Sequence, residues 1–157
     1  MIAIDTMLWI YNIDVNAREH KNVRLWFEGK RGKGVIETEV MLINTVIAME
    51  LVHNLRRVAK LAAEHVYDYI FRILTLKNIV LDPLDPAALS EAISTFEEYF
   101  QYGIGGRDAT VLASMRRHRA TTLATHDKNL LSVQEIERID PTHDPHLILL
   151  KGEKFHR

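Results

Sequence analysis

Short strand-like runs at residues 2–4, 40–44, 78–81 and 121–124 alternate with longer stretches of helical periodicity. This constrains the fold more than any other feature. Strands this short and apolar, separated by helices, predict a parallel sheet covered on both faces. Residues 137–139 supply a further strand, ending at Asp140-Pro141. The helices are expected at 7–11, at 17–30 with Val23, Trp26 and Phe27 on one stripe, at 45–58 with Thr45 as cap, and at 61–76. Asp85-Pro86 opens another, a capping residue followed by proline at the first helical position, running to about residue 101. A last helix contains Asp108. Gly29, Gly32 and Gly34 close the second helix in a basic turn. A chain of 157 residues suits one core rather than two. The expected domain spans 1–141, and the tail 142–157 carries an apolar run, His-Leu-Ile-Leu-Leu, suited to an extra edge strand.

Composition removes several classes of chemistry. Cysteine is absent, so there is neither a disulfide framework nor a thiolate nucleophile or ligand. No apolar run approaches the roughly 20 residues that span a bilayer, and the opening MIAIDTMLWI lacks the charged leader of a secretory signal. A soluble, cytoplasmic protein is expected. A net charge of −1 is neutral on nucleic acid, for which local clusters matter more. Two exist: Arg56, Arg57 and Lys60, and Arg116, Arg117 and Arg119. The glycine loops match neither the P-loop nor the dinucleotide fingerprint.

In open parallel sheets, functional groups collect beyond the carboxyl ends of the strands. Asp5 ends the first strand in IDT. Glu50 lies in the helix after the second, in NTVIAMELVHNL. Asp108 follows three glycines and an arginine in GIGGRDATVLASM, and Asp127 follows the fourth strand in LATHDKNL. Right-handed crossovers bring these acids to one edge. Each also has a plainer reading: Asp5 as a turn residue, Glu50 as a solvated helix position, Asp108 and Asp127 as helix caps. Four carboxylates together repel unless a cation relieves them, and all-oxygen ligands suit magnesium or manganese. Such a site is equipped for phosphodiester hydrolysis.

The order and context of these segments resemble the PIN-domain ribonucleases, in particular the VapC type. The matching pieces are IDT, Thr45-x-x-x-x-Glu50, GGRDATVLASM and THDKNL, and the resemblance runs from Met1 to about Pro141. It implies a three-layer α/β fold with a short, mostly parallel sheet. It implies a Mg2+- or Mn2+-dependent endoribonuclease, the toxin of a toxin–antitoxin pair, leaving 5′-phosphate and 3′-hydroxyl ends. Asp5, Glu50, Asp108 and Asp127 would be the catalytic and metal-holding acids, with Glu50 either a ligand or the residue positioning water. Thr6 and Thr125 stand where a hydroxyl would hold a carboxylate or a water. His126 departs from the arginine or asparagine common in relatives. The resemblance further implies an RNA substrate, a small antitoxin partner and a homodimer, the last also suggested by Trp26 and Phe27 on an early helix stripe.

Other RNA-binding candidates are His53 and Arg57, which share a helix face with Glu50, and Arg116 and Arg117. For these last two, positive charge at a helix C-terminus has its own dipole rationale. His143 and His146 flank Asp144 at metal-like spacing but lack companions on a helix. Two rival functions stand beside the nuclease: a catalytically silent PIN-like module binding RNA or protein, and a metal-dependent DNA nuclease.

Overall fold

The structure, a computed structural model, describes residues 1–30, 32–144, 148–150 and 152–153. Six strands form one sheet: β1 (Ile2–Ile4), β2 (Met41–Asn44), β3 (Ile79–Asp82), β4 (Thr122–Ala124), β5 (Glu137–Ile139) and β6 (Ile148–Leu149). Their order is β3-β2-β1-β4-β5-β6. The first five run parallel, and β6 pairs antiparallel with β5. The helices are α1 (Thr6–Ile13), α2 (His20–Glu28), α3 (Val35–Thr38), α4 (Thr45–Arg57), α5 (Ala63–Leu74), α6 (Pro86–Tyr99), α7 (Gly106–His118) and α8 (Lys128–Leu131), with a single 3-10 turn at Phe100–Tyr102.

This topology fixes where a site can lie. From β1 the chain winds outward through β2 and β3, then returns to the other side of β1 as β4 and β5. The winding reverses between β1 and β4. Parallel sheets open a crevice beyond the carboxyl ends of the strands at such a point. The residues just past those ends are Asp5 and Thr125.

The core forms because β1 and β2 are buried along their whole length, as continuous apolar strands in covered parallel sheets are. Leu8, Trp9, Phe27, Leu51, Leu55 and Leu123 pack around them. Phe27 is fully buried, with its ring centroid 4.8 Å from that of Trp9. Trp26 is only 8% exposed. Both therefore belong to the core, which removes the exposed stripe that had suggested a dimer contact on this helix. Large exposed apolar side chains lie elsewhere, notably Leu89, Ile93 and Phe100 along α6 and its continuation.

Several local expectations shift for identifiable reasons. Thr45 does not cap α4. Asn44 does, its side-chain oxygen accepting the Ile47 N–H at 2.8 Å, while the Thr45 hydroxyl accepts from the Leu84 N–H at 3.0 Å. The second helix starts at His20 rather than 17. It ends at Gly29, whose φ of +66° and close approach to Gly34 (a Cβ at position 29 would lie 2.2 Å from the Gly34 nitrogen) leave no room for a side chain. At the other end of the chain, Arg138 on β5 is fully buried. Its guanidinium donates to the carbonyls of Val133 (2.6 Å) and Glu153 (2.5 Å), tying the C-terminal segment to the sheet.

Candidate active site

Asp5 follows β1 directly and caps α1, its Oδ1 accepting the Thr6 N–H at 2.7 Å. Its Oδ2 accepts the Thr125 hydroxyl at 2.9 Å. Thr125, just past β4, accepts the Asp127 N–H at 3.0 Å with the same oxygen. One threonine hydroxyl thus links the ends of β1 and β4. Asp127 caps α8, its Oδ1 accepting the N–H groups of Asn129 (2.8 Å) and Leu130 (3.3 Å).

The other half of the network comes from α4 and α7. Thr6 donates its hydroxyl to Glu50 Oε2 at 2.5 Å. Arg107 donates to Glu50 Oε1 at 2.5 Å and, through Nη2, to Asp108 Oδ1 at 2.6 Å. Asp108 is not the cap of α7. Gly105 holds that position, and Asp108 sits at the third helical residue, with Oδ2 at 3.4 Å from the Gly105 N–H. That bond is long. Asp108 thus has two sets of contacts, this capping-box bond to Gly105 and the shorter bonds from Arg107. Asp5, Glu50 and Asp108 surround a single guanidinium or its electrostatic reach, and Asp127 joins through Thr125.

The electrostatics follow from burial. Asp5 is 2% exposed, and burial pushes its carboxyl above the usual range. The Arg107 charge and the bonds from Thr125 and Thr6 pull it back, and the Asp108 charge adds to the rise. Burial works against the charge on Arg107, but hydrogen bonds to Asp108 and Glu50 more than offset it and hold the guanidinium charged. A carboxyl whose folded pKa is raised stabilises the fold fully below its unfolded value of 3.8 and loses that contribution as pH rises through the folded pKa. In chelator, Asp5→Asn is therefore expected to melt higher than the native protein at pH 7, with the advantage vanishing below 3.8. Melts across pH check this, and an advantage that persists in acid would rule out the electrostatic origin.

The RNA-binding candidates fall in different places. His53 and Arg57 are exposed on α4. Arg116 pairs with Glu98 at 2.7 Å and lies over the Tyr99 ring. Arg117 lies 3.4 Å from Asp82. Both occupy the far end of α7, about 12 Å along the axis from Asp108 at 1.5 Å per residue. His126 turns its Nδ1 toward Asp140, 3.0 Å from Oδ2. His143 joins these two, while His146 lies outside the described residues. Sequence reasoning missed Arg107, although it stood in the GGRD motif, and Asp140, which read only as a strand end. A cavity of about 480 Å³ is lined by Ile2, Thr122 and Glu137 at the amino ends of the strands, away from the acids.

The fold has known counterparts. The VapC20 toxin of Mycobacterium tuberculosis, described as cleaving the sarcin-ricin loop, superposes with a TM-score of 0.68 at 15% identity, over 83% of this chain and 92% of that one. FitAcB from Neisseria gonorrhoeae gives 0.61 at 18%, over 91% and 99%. VapBC2 from Rickettsia felis, bound to a DNA fragment from its promoter, gives 0.54 at 18%, over 83% and 96%. Among curated protein sequences, none matches. At these identities the structures establish the fold alone. The PIN domain model, however, matches residues 2–136, a span that contains Asp5, Glu50, Asp108 and Asp127 together with the β1/β4 crevice where they meet. Sequence and topology thus converge on one assignment, and the chain belongs to the PIN-domain family.

Proposed function

We propose that this protein is a metal-dependent endoribonuclease acting as the toxin of a toxin–antitoxin pair. The observation that carries this reading is the network of Asp5, Glu50, Asp108 and Asp127 at the switch point of the sheet, with the Arg107 guanidinium among them. A cation already stands where the carboxylates need one. The donors are all oxygen, which fits Mg2+ or Mn2+. Asp5, Asp108 and Asp127 would hold the ion, with Glu50 as a further ligand or as the group that orients the attacking water. When bound, the ion supplies Lewis acidity toward the scissile phosphate and lowers the pKa of water. Thr6 fixes the Glu50 carboxylate, and Thr125 fixes Asp5 against the Asp127 backbone. His53 and Arg57 follow Glu50 along α4, are exposed, and would meet an RNA backbone. His126, Arg116 and Arg117 already have carboxylate partners, so RNA contact there requires exchange of those partners.

The test incubates purified protein with labelled RNA and DNA, with Mg2+ or Mn2+ and with chelator. Metal-dependent RNA cleavage leaving 5′-phosphates is expected. Cleavage of DNA alone would replace the reading with a DNA nuclease. Cleavage of neither would leave a silent binding module.

The cytoplasm is the proposed location; among the described residues no helix is long and apolar enough to cross a membrane. The proposed antitoxin site is the groove between α4 and α5, lined by Val52, Val66, Tyr67 and Ile70. There Tyr67 and Phe71 stack in the open, with ring centroids 6.3 Å apart. The proposed homodimer contact moves to the α6 face with Leu89, Ile93 and Phe100. Light scattering is expected to give a dimer for the native protein and a monomer for Ile93→Glu, because a buried unpaired charge is strongly unfavourable at an interface. A native monomer at micromolar concentration would remove the dimer.

A further inference from the structure

We infer that His126, Asp140 and His143 form a second metal site, for a first-row transition ion such as Zn2+, beside the acidic site. Each residue offers one ligand atom, and these atoms lie within 4.8 Å of one another. His126 Nδ1 is 3.0 and 3.2 Å from the two Asp140 oxygens. Adjacent ligands on a tetrahedral ion with bonds near 2.0–2.1 Å are separated by about 3.3 Å, so this pair already has the required spacing. His143 is exposed, and its side chain is the one that adjusts to close the set. Two imidazoles and one carboxylate suit zinc and its neighbours, in contrast to the all-oxygen quartet.

The surroundings hold the ligands in place. Asp140 is 4% exposed, and its Oδ1 accepts from the Thr142 N–H at 3.1 Å and the Thr142 hydroxyl at 2.6 Å. Asn22 on α2 donates to the carbonyls of Thr142 (2.8 Å) and His143 (3.1 Å), fixing the loop that carries the third ligand. Outer partners of this kind orient metal ligands. Two of the three ligands, Asp140 and His143, come from beyond residue 136, where the family match ends. His126 sits between Thr125 and Asp127, and its ring meets that of Tyr11 edge-on, with centroids 6.1 Å apart. An ion here would clamp the 140–143 loop to the segment that carries one side of the acidic site.

The experiment uses the full chain carrying Asp108→Asn, which disables the acidic quartet, after chelation and dialysis. Zinc titration by calorimetry is expected to give one equivalent bound, and Co2+ in its place a visible spectrum of a site with nitrogen and oxygen ligands. Adding His143→Ala, an exposed position that leaves the fold intact, is expected to weaken binding at least about tenfold and to abolish the zinc-induced rise in melting temperature. Asp140→Asn is expected to do the same. Absence of zinc binding at micromolar concentration would overturn the inference, as would binding that survives both substitutions. Neither outcome depends on whether the protein cleaves RNA.

Discussion

Asp108→Asn is expected to lower metal-dependent RNA cleavage by roughly a thousandfold, the scale on which removing one electrostatic stabiliser acts. The substitution keeps the shape of the side chain and removes one of the negative charges that would hold the proposed ion. If Asp108 served only in the capping box of α7, cleavage and the manganese response would survive, since an asparagine oxygen still accepts the Gly105 N–H. Gly105 is the cap residue, and its N–H reaches Asp108 at 3.4 Å, a longer bond than the 2.6 Å one from Arg107. In chelator the variant is expected to stay within about 1 kcal/mol of the native protein. It loses the Arg107–Asp108 pair, which is part-exposed on the arginine side, and it relieves the repulsion that Asp108 exerts on Asp5. Manganese at a hundredfold excess over its dissociation constant would stabilise the native protein by about 2.7 kcal/mol, and the variant should lose most of that gain. Thermal melts with chelator and with Mn2+, beside an RNA cleavage assay, read both effects. A variant that still cleaves and still responds to manganese would remove Asp108 from the site.

The alternation of strands and helices, and the placing of acids at strand ends, were legible because both are local patterns. Each strand appears where apolar residues cluster, and the parallel order follows from the helical connections between them. The acids were legible as a group because topology, not side-chain detail, brings them together. What the sequence concealed depends on contacts between distant residues. Thr45 looked like a cap, but the preceding Asn44 caps α4 and Thr45 instead receives a bond from Leu84. The stripe of Trp26 and Phe27 suggested a dimer contact because a stripe does not reveal how much of it is covered; Trp9 from α1 covers Phe27. His143 looked solitary because His126 lies in another segment and Asp140 read only as a strand end. Arg107 was overlooked for the same reason. Its bond to Glu50 crosses from α7 to α4, a contact that no spacing rule predicts.

Arg107→Gln is expected to raise the affinity for Mn2+ about tenfold, or 1.4 kcal/mol. The argument begins with charge. Arg107 is the counter-ion of Glu50 and Asp108 and the largest influence lowering the pKa of Asp5. A unit charge 4 Å away is worth about 4 kcal/mol at the dielectric typical near a protein surface, and solvent screening at this part-exposed site reduces that. Glutamine keeps a hydrogen-bond donor but removes the charge that competes with the ion. The same loss acts in the opposite direction when metal is absent. Asp5 then loses its largest compensation, so its pKa rises further and the chelated variant is expected to be less stable than the native protein at pH 7. That deficit should shrink as pH falls and, for Asp5, disappear below its unfolded value of 3.8. Calorimetric manganese titration and melts in chelator across pH separate this from a purely structural role. A structural arginine would give a variant that is unstable at every pH and binds manganese no better. That pair of results would show that the guanidinium does not hold the place of the cation.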